Sequence, residues 1–239
     1  MTRRRFIADE VSADRAALIG DHADHLIRVL RARVGQEFDI VTGDRVRRGK
    51  ITSIANGRVE FELGEEISTP ASARITLLLS TFKFDRMEWA IEKCTELGVS
   101  QIVPLIARRT DSHLAAASAK RVERWRRIAR QATEQSRRSS PPEISSSIKI
   151  ADAVNFTGSL RILLSESEGQ TMLLHVLQSQ QAVSEIVLAI GPEGGWTEDE
   201  ERSFRDTGWI PASLGNTILR AETAAIAATA IVVSALNPS

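Results

Sequence analysis

Glu185-Ile186-Val187-Leu188-Ala189-Ile190-Gly191-Pro192-Glu193-Gly194-Gly195-Trp196-Thr197 is the stretch on which the reading of the fold turns. The run from Glu185 to Ile190 is short, apolar and branched, which predicts a buried strand. Gly191 ends it, and Pro192 can pre-set the φ of a turn. Gly194 and Gly195 then permit positive φ, or let a ligand approach bare backbone. Thr197 with Glu200 three residues on makes a capping box, opening an acidic helix that ends near Gly208. A second glycine-bearing turn follows, LGNTILR (Leu214 to Arg220). After it comes AETAAIAATAIVVSAL, apolar nearly all round and so expected to be buried. Strand, glycine loop, helix, loop, buried helix brings two loops to one side of a sheet, where open α/β sheets bind ligands.

Towards the N-terminus the alternation continues. RITLLLS (Arg74 to Ser80) predicts a strand. DRMEWAIEKCTELG predicts a helix that Asp85 can cap, with Met87, Ala90, Ile91, Cys94 and Leu97 on one face and Gly98 at its end. VSQIVPLIA predicts the next strand. From Ser118 a longer helix turns Val122, Trp125, Ile128, Ala129 and Ala132 inward, with Arg121, Arg124, Arg127, Arg130 and Arg138 on the other face. RILLSESEG (Arg161 to Gly169) gives a strand and a polar loop, and Leu173, Leu174, Val176 and Leu177 mark a further helix. The class is α/β with a mostly parallel sheet. Ile67 to Ala73 is small and polar, a natural boundary between residues 1–70 and 73–239. Before it, FDIVTGD, RRGKITSIANG and RVEFELG read as strands with a hairpin at Asn56-Gly57, preceded by DHADHLIRVLRARVGQ as one short helix ending near Gly35. A small β-barrel with a helix is the expectation there.

Net charge is zero, with 31 basic and 31 acidic residues, but the distribution is uneven. Residues 108–138 carry 10 Lys/Arg against 3 Asp/Glu, and residues 139–239 carry 5 against 12. One polyanion-binding face would give this asymmetry, and a solvated helix face would give part of it. A single cysteine, Cys94, excludes an intramolecular disulfide and fits a reducing cytoplasm; its helical position predicts a core role. His22, His25, His113 and His175 show no metal-ligand spacing, so no metal is expected. Neither a signal peptide nor a membrane span is apparent, which predicts a cytoplasmic protein. No G-x-x-x-x-G-K-[ST] and no strand-following G-x-G-x-x-G occurs, which argues against triphosphate and Rossmann-type dinucleotide binding.

IGPEGG, followed some twenty residues on by LGNTILRAETA, resembles the small-subunit (16S) rRNA uracil-N3 methyltransferases of the SPOUT superfamily. RITLLLS, KF…EWAIEKCTELGV, IVPLIARRT, ATEQSRR…PPEI and HLIRVLR also stand in that family's order, so the resemblance covers most of the chain. It implies a PUA-like RNA-binding barrel over 1–70 and a SPOUT methyltransferase domain over 73–239, with a deep C-terminal trefoil knot and a knot-to-knot homodimer. The implied cofactor is S-adenosylmethionine, bent among three loops. The first is Leu164, Ser165 and Glu166; the second Gly191, Pro192, Glu193, Gly194 and Gly195; the third Leu214, Gly215, Ile218, Leu219 and Arg220. The implied substrate is a uridine of 16S rRNA within the assembled small subunit. Arg31, Arg109 and Arg138 match the family pattern as RNA contacts, Arg3 and His25 are placed with them, and Arg28 is added for its position. Many members carry Arg where this chain has Thr217.

Methylating uracil N3 removes a weakly acidic proton as the nitrogen attacks the donor methyl. An arginine near O2 or O4 would stabilise the developing anion, and a carboxylate or water could take the proton. Arg220 and Glu222 are the catalytic candidates by motif, with Glu193 weaker, although Glu222 also suits a helix N-terminus and could pair with Arg220. No residue declares itself the base. Two other readings stand beside this one. A SPOUT enzyme acting on tRNA or ribose 2′-OH would share the loops. A non-catalytic RNA-binding protein could use them as an anion nest, against which the acidic Glu198 to Glu201 speaks.

Overall fold

The computed structural model describes residues 5–43, 45–67, 73–136, 138, 140–180 and 183–236. The chain divides into two compact units, Met1–Pro70 with Arg137–Ser139, and Ala71–Ser136 with Ser140–Ser239.

In the first unit β1 (Arg5–Ile7), β2 (Glu10–Ser12), β3 (Arg15–Ile19), β4 (Glu37–Thr42), β5 (Arg45–Ala55) and β6 (Arg58–Glu66) form one sheet in the order β1-β4-β5-β6-β3-β2. The sequence pattern predicts only the last three strands; the first three are too short to show alternation. Phe6 pairs with Ile40 in parallel, Val11 with Ala16 antiparallel, and only Ala8 and Asp9 separate β1 from β2. One segment thus supplies both outer strands, and the sheet closes around Phe6, Leu18, Leu26, Ile40, Ile51, Val59 and Phe61. The helix differs from expectation. Asp21–Asp24 (α1) passes into a π-helical turn, His25–Val29, and Arg31 follows at φ 50°, so the helix stops at Leu30 rather than near Gly35. The wide turn is closed by Leu30 N–H donating to His25 O at 3.2 Å.

The second unit alternates strands and helices: β7 (Arg74–Ser80), α2 (Phe84–Glu96), β8 (Gln101–Ile106), α3 (Ser112–Ser136), β9 (Glu143–Ile144), β10 (Ile148–Lys149) and α4 (Ile150–Ala153). There follow β11 (Leu160–Leu164), α5 (Leu173–Gln178), β12 (Glu185–Ile190), α6 (Glu198–Asp206), β13 (Ile210–Ala212) and α7 (Ala221–Leu236). Among the described residues the sheet runs β10-β8-β7-β12-β11-β13, with β9 beside β8, and its pairings are parallel. Both faces of such a sheet must be covered. Met87, Cys94, Trp125, Ala225 and Val232 cover one, and Ala153, Trp196, Phe204 and Trp209 the other.

The helix starts shift for local reasons. Lys83 is the N-cap residue of α2, without a side-chain cap bond, while Asp85 sits in the first turn, where the helix dipole favours it. Helix α3 begins at Ser112 instead of Ser118, because Asp111 Oδ1 accepts from His113 N–H at 2.8 Å and so caps it earlier. Arg138 lies beyond the end of α3, not on its outer face; it groups with the first unit, and burial pulls its guanidinium below the ordinary value. On the outer face Arg124 holds Glu88 with two bonds of 2.5 and 2.7 Å, and Arg121 stacks on Phe84 at 4.6 Å. Helix α7 buries Ala221, Glu222, Ala225, Ala228, Thr229 and Val232, whereas Thr223, Ala230 and Ser234 are exposed, so within one chain it is covered on one face only. Cys94 is fully buried, 3.6 Å from Thr229 Oγ1, and burial pushes its thiol up to about 12.

Candidate functional site

Three neighbouring parallel strands, β12, β11 and β13, end at the same edge of the sheet, so the loops that leave them must converge. They enclose a cavity of about 760 Å³, lined by residues 164–169, 190–196 and 212–221 together with Arg109, Glu201 and Ala224. The volume suits a small-molecule or cofactor site. All of Leu164, Ser165, Glu166, Gly191, Pro192, Glu193, Gly194, Gly195, Leu214, Gly215, Ile218, Leu219 and Arg220 line it.

The second loop is shaped by its own tryptophan. Trp196 Nε1 donates to Leu164 O at 2.8 Å, joining the second loop to the end of β11. A Cβ at Gly191 would come within 3.2 Å of the indole, so any larger residue there would press the ring back by a few tenths of an ångström. Gly195 takes φ 69° and donates to Pro192 O at 2.9 Å, which closes the turn. The left-handed position is thus Gly195 and not Gly194, where an added Cβ would meet Arg109 at an ordinary 3.4 Å. Behind the loop the predicted capping box is formed. Thr197 N–H donates to Glu200 Oε2 at 2.8 Å, Glu200 N–H donates to Thr197 Oγ1, and Glu200 Oε1 accepts from Arg108 N–H at 2.7 Å.

The first loop is fastened to α6. Ser165 Oγ donates to Glu201 Oε1 at 2.5 Å and Ser167 Oγ to Glu201 Oε2 at 2.8 Å. Glu168 Oε1 accepts from the Gln170 and Thr171 amides, which hold its carboxyl below the usual range. Four carboxylates (Glu166, Glu168, Glu193 and Glu201) and two guanidiniums (Arg109 and Arg220) line the cavity, a balance that favours a cationic ligand. Among the described residues Glu166 and Arg220 are exposed, and neither forms an ion pair or a side-chain hydrogen bond. Arg220 is therefore not paired with Glu222.

Glu222 does not line the cavity. It is 4% exposed, at the foot of α7, and its Oε1 lies 3.7 Å from Arg86 Nε. Arg86 Nη1 also donates to Glu193 Oε1 at 2.5 Å. Sequence reasoning does not find Arg86, because 107 positions separate it from Glu193; its only signal is a cation one turn into a helix that follows a strand end. Arg109 is placed with the cavity as well. Its Nη1 donates to Gly194 O at 2.8 Å and Trp196 O at 3.0 Å, which makes it a brace of the second loop.

Of the other residues expected to meet RNA, Arg3 lies outside the described residues. His25, Arg28 and Arg31 fall together on the π-helical turn and just after it. The His25 ring is 6.5 Å from that of Phe6, Arg28 is 3.5 Å from Asp24, and Arg31 is exposed. Among the described residues no group of three or more His, Cys, Asp or Glu could hold a metal ion, and no helix is long and apolar enough to cross a membrane.

Comparison with known proteins adds to this geometry. A family model described as an RNA methyltransferase domain matches residues 69–233, and one described as an RNA methyltransferase PUA domain matches residues 18–64. The ribosomal RNA small subunit methyltransferase E of Rickettsia conorii is 34% identical over 219 residues, covering 89% of this chain and 87% of that one. The protein of the same name from Synechocystis is 34% identical over 206 residues, covering 84% and 66%. Among solved structures, ribosomal RNA small subunit methyltransferase E from Neisseria gonorrhoeae bound to S-adenosyl methionine aligns with a TM-score of 0.63 at 32% identity, covering 95% of each chain. A Legionella pneumophila protein solved in complex with the cofactor SAM aligns with a TM-score of 0.64 at 27% identity, covering 97% of each.

Proposed function

The chain belongs to the ribosomal RNA small subunit methyltransferase E family, and from that membership we propose that it transfers a methyl group from S-adenosylmethionine to N3 of a uridine in small-subunit (16S) rRNA. The observation that carries this reading is the convergence of three loops on one cavity that combines bare backbone at 191–195 with the unpaired carboxylate of Glu166. S-adenosylmethionine suits such a lining. Its sulfonium and ammonium call for carboxylates, and its adenine and ribose edges can bond to loop amides and carbonyls. Leu164, Ser165, Glu166, residues 191–195, Leu214, Gly215, Ile218, Leu219 and Arg220 would hold it. When bound, it supplies an electrophilic methyl group.

The chain's own contribution is positioning and charge. The free guanidinium of Arg220 stands at the cavity wall, where it would stabilise charge developing on uracil O2 or O4 as N3 loses its proton. With Thr217 in place of a second arginine, Arg220 is the third loop's one guanidinium. Glu222, buried and off the cavity, acts by anchoring the start of α7.

In the same reading residues 1–70 are a PUA-like RNA-binding domain, and residues 73–239 form the catalytic domain with a trefoil-knotted C-terminus. His25, Arg28, Arg31 and Arg138, with Arg3, grip rRNA phosphates of the small subunit, while Arg109 serves the loop. The half-buried Ile226, Ile231 and Val233 of α7 meet a second copy in a homodimer, and the protein works in the cytoplasm. Calorimetry with S-adenosylmethionine, followed by mass mapping of methylated small subunits, is the test. The expected result is binding to each chain and a single uridine methylated on its base. A methyl on ribose or on tRNA would reassign the target, and no cofactor binding would remove the enzyme reading.

A further inference from the structure

We propose that Arg86 is a positioning residue of the cavity, one guanidinium shared between Glu193 of the second loop and Glu222 at the foot of α7, and that it fixes the loop against the helix for cofactor binding. The inference rests on the reading that the cavity takes S-adenosylmethionine. Arg86 Nη1 donates to Glu193 Oε1 at 2.5 Å, and Arg86 Nε stands 3.7 Å from Glu222 Oε1. The three side chains come from three elements, α2, the loop after β12, and α7.

Two of these elements cannot move independently. Cys94 of α2 is fully buried against Thr229 of α7, with the sulfur 3.6 Å from the hydroxyl. The loop is the third party, and Glu193 is its only carboxylate. An exposed ion pair on a helix would matter little, but these three groups differ in burial. Side-chain exposure falls from 36% at Glu193 through 29% at Arg86 to 5% at Glu222. Glu222 Oε2 is buried without a hydrogen-bond partner, so Arg86 is the neighbouring cation that compensates this carboxylate. The charge fixes Arg86 from below, and Arg86 in turn fixes Glu193 above it.

Arg86 thus has two separable effects, stability through Glu222 and loop position through Glu193. The test uses the full-length protein and the variants Arg86→Met, Glu193→Gln and the double variant Arg86→Met with Glu222→Met. Melting temperature, S-adenosylmethionine affinity by calorimetry, and hydrogen exchange of the 191–196 amides without ligand are measured. Arg86→Met should lose stability and affinity together. The double variant, freed of an uncompensated buried carboxylate, should recover the melting temperature. It should still bind S-adenosylmethionine at least ten-fold more weakly, with loop amides exchanging at least ten-fold faster. Glu193→Gln should speed the same amides, and adding it to the double variant should change nothing more. If affinity and exchange return with stability in the double variant, Arg86 is structural only and the proposal is overturned. Unchanged exchange in Glu193→Gln overturns it equally. The exchange measurement needs no ligand, so a wild-type protein that failed to bind S-adenosylmethionine would refute the cofactor reading and leave the tether to be judged separately.

Discussion

The two glycine-bearing loops that face the cavity are held in opposite ways. The loop at 190–196 is fastened by Trp196 to Leu164 O, by Arg109 to Gly194 O and Trp196 O, and by Arg86 to Glu193. The loop at 214–220 is held mainly near its start, where Gly215 N–H donates to Ser213 Oγ at 3.2 Å. Beyond that point it presents Ile218, 81% exposed, and the unpaired Arg220. A wall fixed before the ligand arrives costs little ordering on binding, whereas a loosely held one can adapt to a second, larger substrate. The second loop is thus a fixed wall, and the third an adaptable one.

The strongest challenge to that contrast is Trp196→Ala. It should lower stability by about 3–5 kcal/mol in urea unfolding, since a buried indole and a loop brace go together. A loss under about 1 kcal/mol would mean that the second loop is not braced by its tryptophan. Arg220→Ala comes next. It should reduce the single-turnover methylation rate by about 10²–10³, the usual effect of removing an oxyanion donor, while melting temperature and RNA affinity stay near wild type. A melting temperature falling as far as in Trp196→Ala would erase the distinction between the loops.

Gly195→Ala should cost about 1–2 kcal/mol, because φ 69° is strained for any residue with a Cβ. Gly194→Ala, which meets only Arg109 side-chain carbons, should stay within about 0.5 kcal/mol. Equal costs at the two glycines, read by thermal unfolding, would show that space and not backbone angle governs this turn. Ile218→Ser should have the smallest effect on stability, again within about 0.5 kcal/mol. Slower exchange of the 216–219 amides on adding S-adenosylmethionine would show the third loop ordering on its ligand.

What could be read in the sequence follows the range of each interaction. EIVLAI, the capping box at Thr197 and the turn at Gly195 are local, and the structure has them where the pattern predicts. Strand β13 escapes because it is three residues long and contains Pro211, which is tolerated on an edge strand paired on one side only. The braces escape because they are distant: Arg109 reaches Gly194 across 85 positions, and nothing near Arg109 marks it as a loop support. The loop residues grouped by motif resemblance line one cavity, but the resemblance places Glu222 with Arg220, whereas packing turns Glu222 towards Arg86. The short strands β1 to β3 fail for another reason, since three to five residues cannot establish a period.

The arrangement of residues 5–12, which pair with β4 at one end and β3 at the other, has a consequence for synthesis on the ribosome. This segment emerges before β4 at Glu37–Thr42, so one of its two pairings must wait for that strand. Until β4 is in place the Arg5–Ile7 strand has no partner and is itself a template for pairing with another nascent chain. Removing the segment would leave both flanks open at once, a double liability where an ordinary edge strand would leave one. The segment at residues 5–12 is thus the clasp of the first unit's sheet.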